Sequence, residues 1–129
     1  MDWAYVEKEL FIRKSEKLGL SPQMKESIRS WAPTAPQNRA ETPRLKLVFR
    51  SPNNRYEAWC ARLPNPEGKK GGSGGYRVLF YLDTSESTIN LLYIDDRKEM
   101  GFKKEGHRKK DEYNDLVREV KEMLRKLDQ

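Results

Sequence analysis

Two nearly uninterrupted apolar runs, VLFYL at 78–82 and INLLYI at 89–94, constrain this chain more than any other feature. Each has the length of a strand and is too short for a helix of its own. A run that is apolar at almost every position has no polar face to turn to water. Such strands sit centrally in a sheet and are covered on at least one face. The polar stretch DTSEST at 83–88 turns the first run back into the second.

Two further strand-like segments precede them. In LKLVFR at 45–50, Leu45, Leu47 and Phe49 alternate with Lys46, Val48 and Arg50. SPNN at 51–54 carries turn chemistry, and RYEAWCARL at 55–63 reads as the next strand. Arg62 shares its parity with Tyr56, Ala58 and Cys60, so it belongs to one definite face of that strand. The central region, 45–94, therefore reads as three or four antiparallel strands.

Helical spacing flanks the sheet on both sides. Trp3, Val6, Leu10, Phe11 and Leu18 suit one helical face, with a short strand at 3–6 as the alternative opening. Gly19 reads as a C-cap, and Ser21-Pro22 as the N-cap and first residue of a second helix carrying Met24, Ile28 and Trp31. The short connection predicts a helical hairpin over 1–31. Pro33, Pro36 and Pro43 make 32–44 a loop without evident chemistry. DDRKEMGFKKEGHRKK at 95–110 reads as a basic connector. Tyr113, Leu116, Val117, Val120, Met123, Leu124 and Leu127 then define a C-terminal helix over 111–127. Asp111 and Glu112 would open it and Arg125 and Lys126 would close it, as the helix dipole favours. The fold class is α+β, in a single domain of 129 residues.

Charge narrows the partners. The net charge is +6 and the sequence pI near 9.4. That balance suits nucleic acid, an acidic protein or an anionic surface. Cys60 is the one cysteine, which excludes an intrachain disulfide and points to a reducing, cytoplasmic compartment. Its place in an apolar-alternating run makes it a core residue rather than a nucleophile. No stretch approaches the roughly 18 apolar residues of a membrane span. MDWAYVEKE has early acids and no apolar signal core.

The chemistry concentrates in KKGGSGGYRVLFYL at 69–82. Lys69 and Lys70 precede a glycine-rich turn, and the turn feeds a strand carrying Arg77. Glycine lets a backbone come close to a phosphate, and the strand fixes the direction of the arginine. From spacing alone Arg77 reads first as a sheet-surface arginine paired with a carboxylate.

RYEAWCARLPNPEGKKGGSGGYRVLFYL followed by INLLYIDDRKE resembles the RelE/HigB-type toxins of bacterial toxin–antitoxin pairs, over about half the chain. The resemblance implies a helical hairpin packed on a small antiparallel sheet, with a C-terminal helix. It implies a cognate antitoxin as partner, and an endoribonuclease that cuts mRNA on the ribosome and so blocks translation. In that chemistry the ribose 2′-hydroxyl attacks the neighbouring phosphate and leaves a 2′,3′-cyclic phosphate, with no metal or other cofactor. Arg77 matches the arginine after the Gly-Tyr turn and would clamp the phosphate and stabilise its developing charge. Arg62 matches the basic residue at the end of the preceding strand. Arg97 and Lys98 stand where the family places a basic residue after the last long strand. Lys69 and Lys70 would contact flanking RNA; His107, in the basic connector, is a further RNA-binding candidate that no family motif fixes.

The chain departs from the pattern at Asp95-Asp96, where many relatives carry a lysine. Two acids beside a phosphate site repel RNA unless they face away or one acts as the base. Tyr81 and Tyr93 read as sheet packing, and KKEGHRKK as solvated surface. Two other functions compete: a ParE-type toxin that poisons gyrase by protein contact, and a non-catalytic module that binds RNA or antitoxin.

Overall fold

A computed structural model describes residues 3–37, 39–64, 75–96 and 106–129, with the backbone alone at 106–112. Among these residues the strands are β1 Ala4–Glu7, β2 Leu45–Arg50, β3 Tyr56–Leu63, β4 Tyr76–Asp83 and β5 Thr88–Asp96. The helices are α1 Glu9–Leu18, α2 Pro22–Trp31 and α3 Gly106–Leu127, with short 3-10 turns at Ala32–Thr34 and Arg39–Glu41. The strands form one sheet in the order β1-β5-β4-β3-β2.

The two apolar runs lie in β4 and β5 and are covered on both faces. On one face Phe11, Leu20, Met24 and Ile28 of the α1–α2 region pack on Trp59, Ala61, Val78, Phe80, Leu82, Ile89, Leu91 and Ile94. On the other face Val120 and Leu124 of α3 pack on Tyr56, Ala58, Leu79, Tyr81 and Tyr93. The result is a sheet between two helical layers, the arrangement that buries fully apolar strands. The caps read from sequence are present. Gly19 is left-handed at φ 63°, and the Ser21 hydroxyl accepts the Met24 N–H at 3.1 Å.

Three expectations need correction. The sheet is mixed and has a fifth strand: β1 pairs parallel to β5, with Ala4 opposite Thr88 and Glu7 opposite Leu91. The chain therefore opens as the short strand, and its first helix starts at Glu9. Four residues are too few for a two-residue period to outweigh a helical one. The apolar alternation in β2 also fails. A register shift between Leu47 and Phe49 turns the strand, so Leu45 packs with the α1–α2 layer and Phe49 with the α3 layer. Leu47 is left exposed.

The third correction concerns α3, which begins at Gly106 and takes in the end of the supposed connector. Lysine and arginine are good helix formers, but a basic turn carries no apolar stripe to announce itself. Asp111 and Glu112 consequently lie beyond the first turn, which holds no acidic residue. β5, likewise, extends through Asp96 rather than ending at Ile94.

The C-terminal end of α3 is tied down by buried polar groups. The Ser51 hydroxyl donates to Asp128 Oδ2 at 2.5 Å, and the Asn53 backbone N–H donates to the same oxygen at 2.7 Å. Asn53 Nδ2 donates to the Asp128 carbonyl at 2.7 Å. These bonds, that from Ser51 foremost, hold the Asp128 carboxyl below its ordinary range. A depressed carboxyl contributes stability above its unfolded pKa and loses it as pH falls through the folded value. Asp128→Ala should therefore lower amide protection in the last turn of α3 at neutral pH. The difference from wild type should vanish in acid, as hydrogen exchange at both pH values would show.

Candidate functional site

The site forms where β3, β4 and β5 end beneath α3. β3 and β4 pair antiparallel with Arg62 directly opposite Arg77. β4 and β5 pair with Arg77 directly opposite Asp95. Residues directly opposite share a face, so Arg62, Arg77 and Asp95 form one row across three strands. Two positions inward, Lys46, Cys60, Leu79 and Tyr93 form the next row on that face. Both rows lie on one side of a register shift between Leu79 and Phe80, beyond which Phe80 pairs with Leu91.

Like charges directly opposite one another are unfavourable in a sheet. The Arg62–Arg77 pair is therefore a local conflict, of the kind that marks an anion site more often than a stabilising device. Arg62 is exposed and Arg77 half-buried. The Arg77 guanidinium carbon lies 4.0 Å from the Tyr113 ring centroid, so α3 orients its planar fork. Lys14 of α1 reaches the same region, its Nζ 5.1 Å from the Tyr93 ring centroid.

Cys60 reports the electrostatics. Burial pushes its thiol up, against a hydrogen bond with Tyr113 and the positive charges of Arg77, Arg62 and Lys46. Burial prevails, so the thiol stays protonated at neutral pH and is no nucleophile. Burial likewise pushes the Tyr113 phenol up, reinforced by Cys60 and opposed by Arg77. Neither group is suited to take a proton near neutrality. The described side chains can hold a tetrahedral anion and stabilise charge growing on it. Among the described residues no three His, Cys, Asp or Glu cluster as metal ligands.

The two acids behave differently. Asp95 is 5% exposed, and its Oδ2 accepts the Tyr93 hydroxyl at 2.8 Å while Oδ1 accepts the Asp96 N–H at 2.8 Å. It is spent on local hydrogen bonds and shows almost no surface to solvent, although it shares the face of Arg77. Asp96 pairs with Tyr76 and points to the opposite face.

The sheet thus brings together Arg62 and Arg77 of the residues proposed from sequence. Lys69, Lys70, Arg97 and Lys98 lie outside the described residues. His107 falls in the first turn of α3, where only the backbone is described. Sequence reasoning missed Lys14, Lys46 and Tyr113 as neighbours of the pair. Tyr113 was legible only as part of the apolar stripe, and nothing local places Lys46 beside Cys60.

No protein-family model matches the sequence, and no curated protein matches it. Solved structures do. A chain of the archaeal RelE–RelB complex from Pyrococcus horikoshii is 10% identical, with a TM-score of 0.50 over 75% of this chain and 97% of that one. The fold is RelE-like. A chain of the RelBE2 toxin–antitoxin complex from Mycobacterium tuberculosis is 17% identical, with a TM-score of 0.46 over 74% of this chain and 99% of that one. In this RelE-like fold the paired arginines occupy the end of the two central hairpin strands, on the face that α3 covers. No helix among the described residues is long and apolar enough to cross a membrane.

Proposed function

We propose that the chain is the toxin of a toxin–antitoxin pair and acts as an endoribonuclease on mRNA, in the ribosome and without a metal. The observation that carries this reading is the Arg62–Arg77 pair, two guanidinium-bearing residues directly opposite one another on one face. One phosphodiester fits between two such forks, with charge-assisted hydrogen bonds to its non-bridging oxygens. Those bonds strengthen as the phosphorane forms, which is how positioned cations accelerate transfer at phosphorus. Lys14 and Lys46 add positive potential around the pair and would steer a polyanion to it. Arg97 and Lys98 follow β5 directly in sequence and would supply the acid for the departing 5′ oxygen. Lys69, Lys70 and His107 would contact flanking phosphates.

The fold is shared with a chain from a RelE–RelB complex, which supports an antitoxin as partner. A net charge of +6 suits an acidic neutraliser. The test is a map of mRNA 5′ ends after induction, together with cleavage of ribosome-bound mRNA in excess chelator. Discrete cuts leaving 2′,3′-cyclic phosphate ends are expected. Intact mRNA under both conditions would reject the nuclease, and stalled gyrase in its place would identify a ParE-type poison.

A second reading has one observation in its favour. Asp95 stands directly opposite Arg77, a carboxylate on the face where a phosphate would have to sit. A non-catalytic module would retain RNA or antitoxin binding and yield no cut ends.

A further inference from the structure

A cavity of about 330 Å3 opens where α2 meets the start of β2 and the end of β3. It lies on the α1–α2 side of the sheet, at the same end as the paired arginines. Trp31, Leu45 and Leu63 make its apolar wall, Ser27, Thr42 and Arg44 contribute the polar part, and Arg62 borders it from β3, with its side chain belonging to the opposite face.

We infer that this cavity is a nucleotide subsite, taking one base of single-stranded RNA against Trp31 with the adjoining phosphate on Arg44. The inference deepens the RNA reading and rests on it. Four observations carry it. The volume is at the lower end of the range of small-molecule sites, so it suits a single planar ring. Trp31 is only half-buried: it meets Phe80 edge-on, with centroids 5.6 Å apart and planes at 81°, and keeps surface for a second ring. Stacking on such an aromatic is how proteins hold unpaired bases.

A cation is in place as well. Arg44 is exposed, and its carbonyl accepts the Arg62 backbone N–H at 3.0 Å, which fixes it at the end of β3. Arg62 also faces Arg77 across the β3–β4 ladder. The cavity and the basic row therefore lie at one end of the sheet, on its two faces. An amphipathic helix from a protein partner would need several anchor pockets in line, at helical spacing. One isolated cavity with a cation beside it fits a base and its phosphate better.

Titration of the full chain with adenosine 5′-monophosphate, followed by NMR, tests this. Saturable shifts of the Trp31 indole N–H and the Leu45 and Leu63 methyls are expected. Arg44→Ser should weaken that binding about five-fold, the order of one exposed charge contact. This variant changes an exposed side chain, so it spares the Trp31–Phe80 packing that Trp31→Leu would disturb. Silence at Trp31, shifts confined to Tyr93 and Tyr113, or identical shifts with inorganic phosphate would each overturn the subsite. So would a response to an acidic amphipathic peptide but not to the nucleotide. Cleavage of mRNA with Trp31 silent rejects the subsite and leaves the nuclease. Binding at Trp31 without cleavage retains the subsite and rejects the nuclease.

Discussion

Arg77→Ala is expected to slow mRNA cleavage about 100- to 1,000-fold, the usual loss when one preorganised donor to a developing oxyanion is removed. Growth arrest on induction should disappear with it. The size of the effect follows from position. Arg77 sits between Arg62 on one neighbouring strand and Asp95 on the other, and Tyr113 fixes the plane of its fork. A strand-borne, stacked guanidinium loses little freedom when it engages a phosphate. Arg77→Lys should recover only part of the activity, because a point charge replaces a bidentate fork. The substitution also removes a stacking contact worth about 1 kcal/mol, so a thermal melt must accompany the assay. Arg62→Ala is the cleaner companion, since Arg62 is exposed and its loss should leave the melt unchanged. If the two arginines grip one phosphate, the double variant will be scarcely slower than the worse single one. Full activity in Arg77→Ala would remove the proposed centre.

Glu57→Ala should destabilise the fold by about 2 kcal/mol, the order expected when buried hydrogen-bonding groups lose their partner. Glu57 is 6% exposed. Its Oε1 accepts Arg39 Nε at 2.8 Å and Trp59 Nε1 at 2.9 Å. Arg39 also donates to the Pro36 carbonyl at 2.7 Å and lies 5.9 Å from the Trp3 ring centroid. One carboxylate thus anchors the proline-rich 32–44 stretch to β3. Alanine would strand the Arg39 guanidinium and the indole N–H together. Burial by itself would raise the Glu57 pKa, but the hydrogen bonds from Arg39 and Trp59 overcome it and hold the carboxyl below its ordinary range. The stabilisation is therefore present above the unfolded carboxylate pKa and lost as pH falls through the lower folded value. Urea titrations at neutral and acid pH should show the gap between wild type and variant closing in acid. Glu57→Gln keeps one acceptor and should lose less. A neutral-pH loss below about 1 kcal/mol would mean that Glu57 contributes no more than a surface pair.

The legible parts of this protein were those written in consecutive residues. VLFYL and INLLYI announced central strands because a fully apolar run has few other places to go. Gly19 and Ser21-Pro22 marked a helix end and a helix start because each meets a local backbone requirement. The parity of Arg62 followed from its strand alone. What was misread needed distant partners. β1 exists because β5 offers it an edge, and the turn in β2 exists because its two ends pack in different layers. The proline-rich loop looked inert because an ionic anchor of it lies 18 residues beyond Arg39, at Glu57.

The candidate site divides in the same way. Sequence alone determined which side chains are cationic, which face of its strand each arginine takes, and that two apolar strands must be enclosed. Only the tertiary structure decided that Arg62 and Arg77 stand opposite one another, that Asp95 is turned inward onto Tyr93, and that Tyr113 lies over the fork. The physical reason is range. Alternation and capping act over a few bonds, whereas register and layer contacts join residues whose separation along the chain carries no trace of their distance in space.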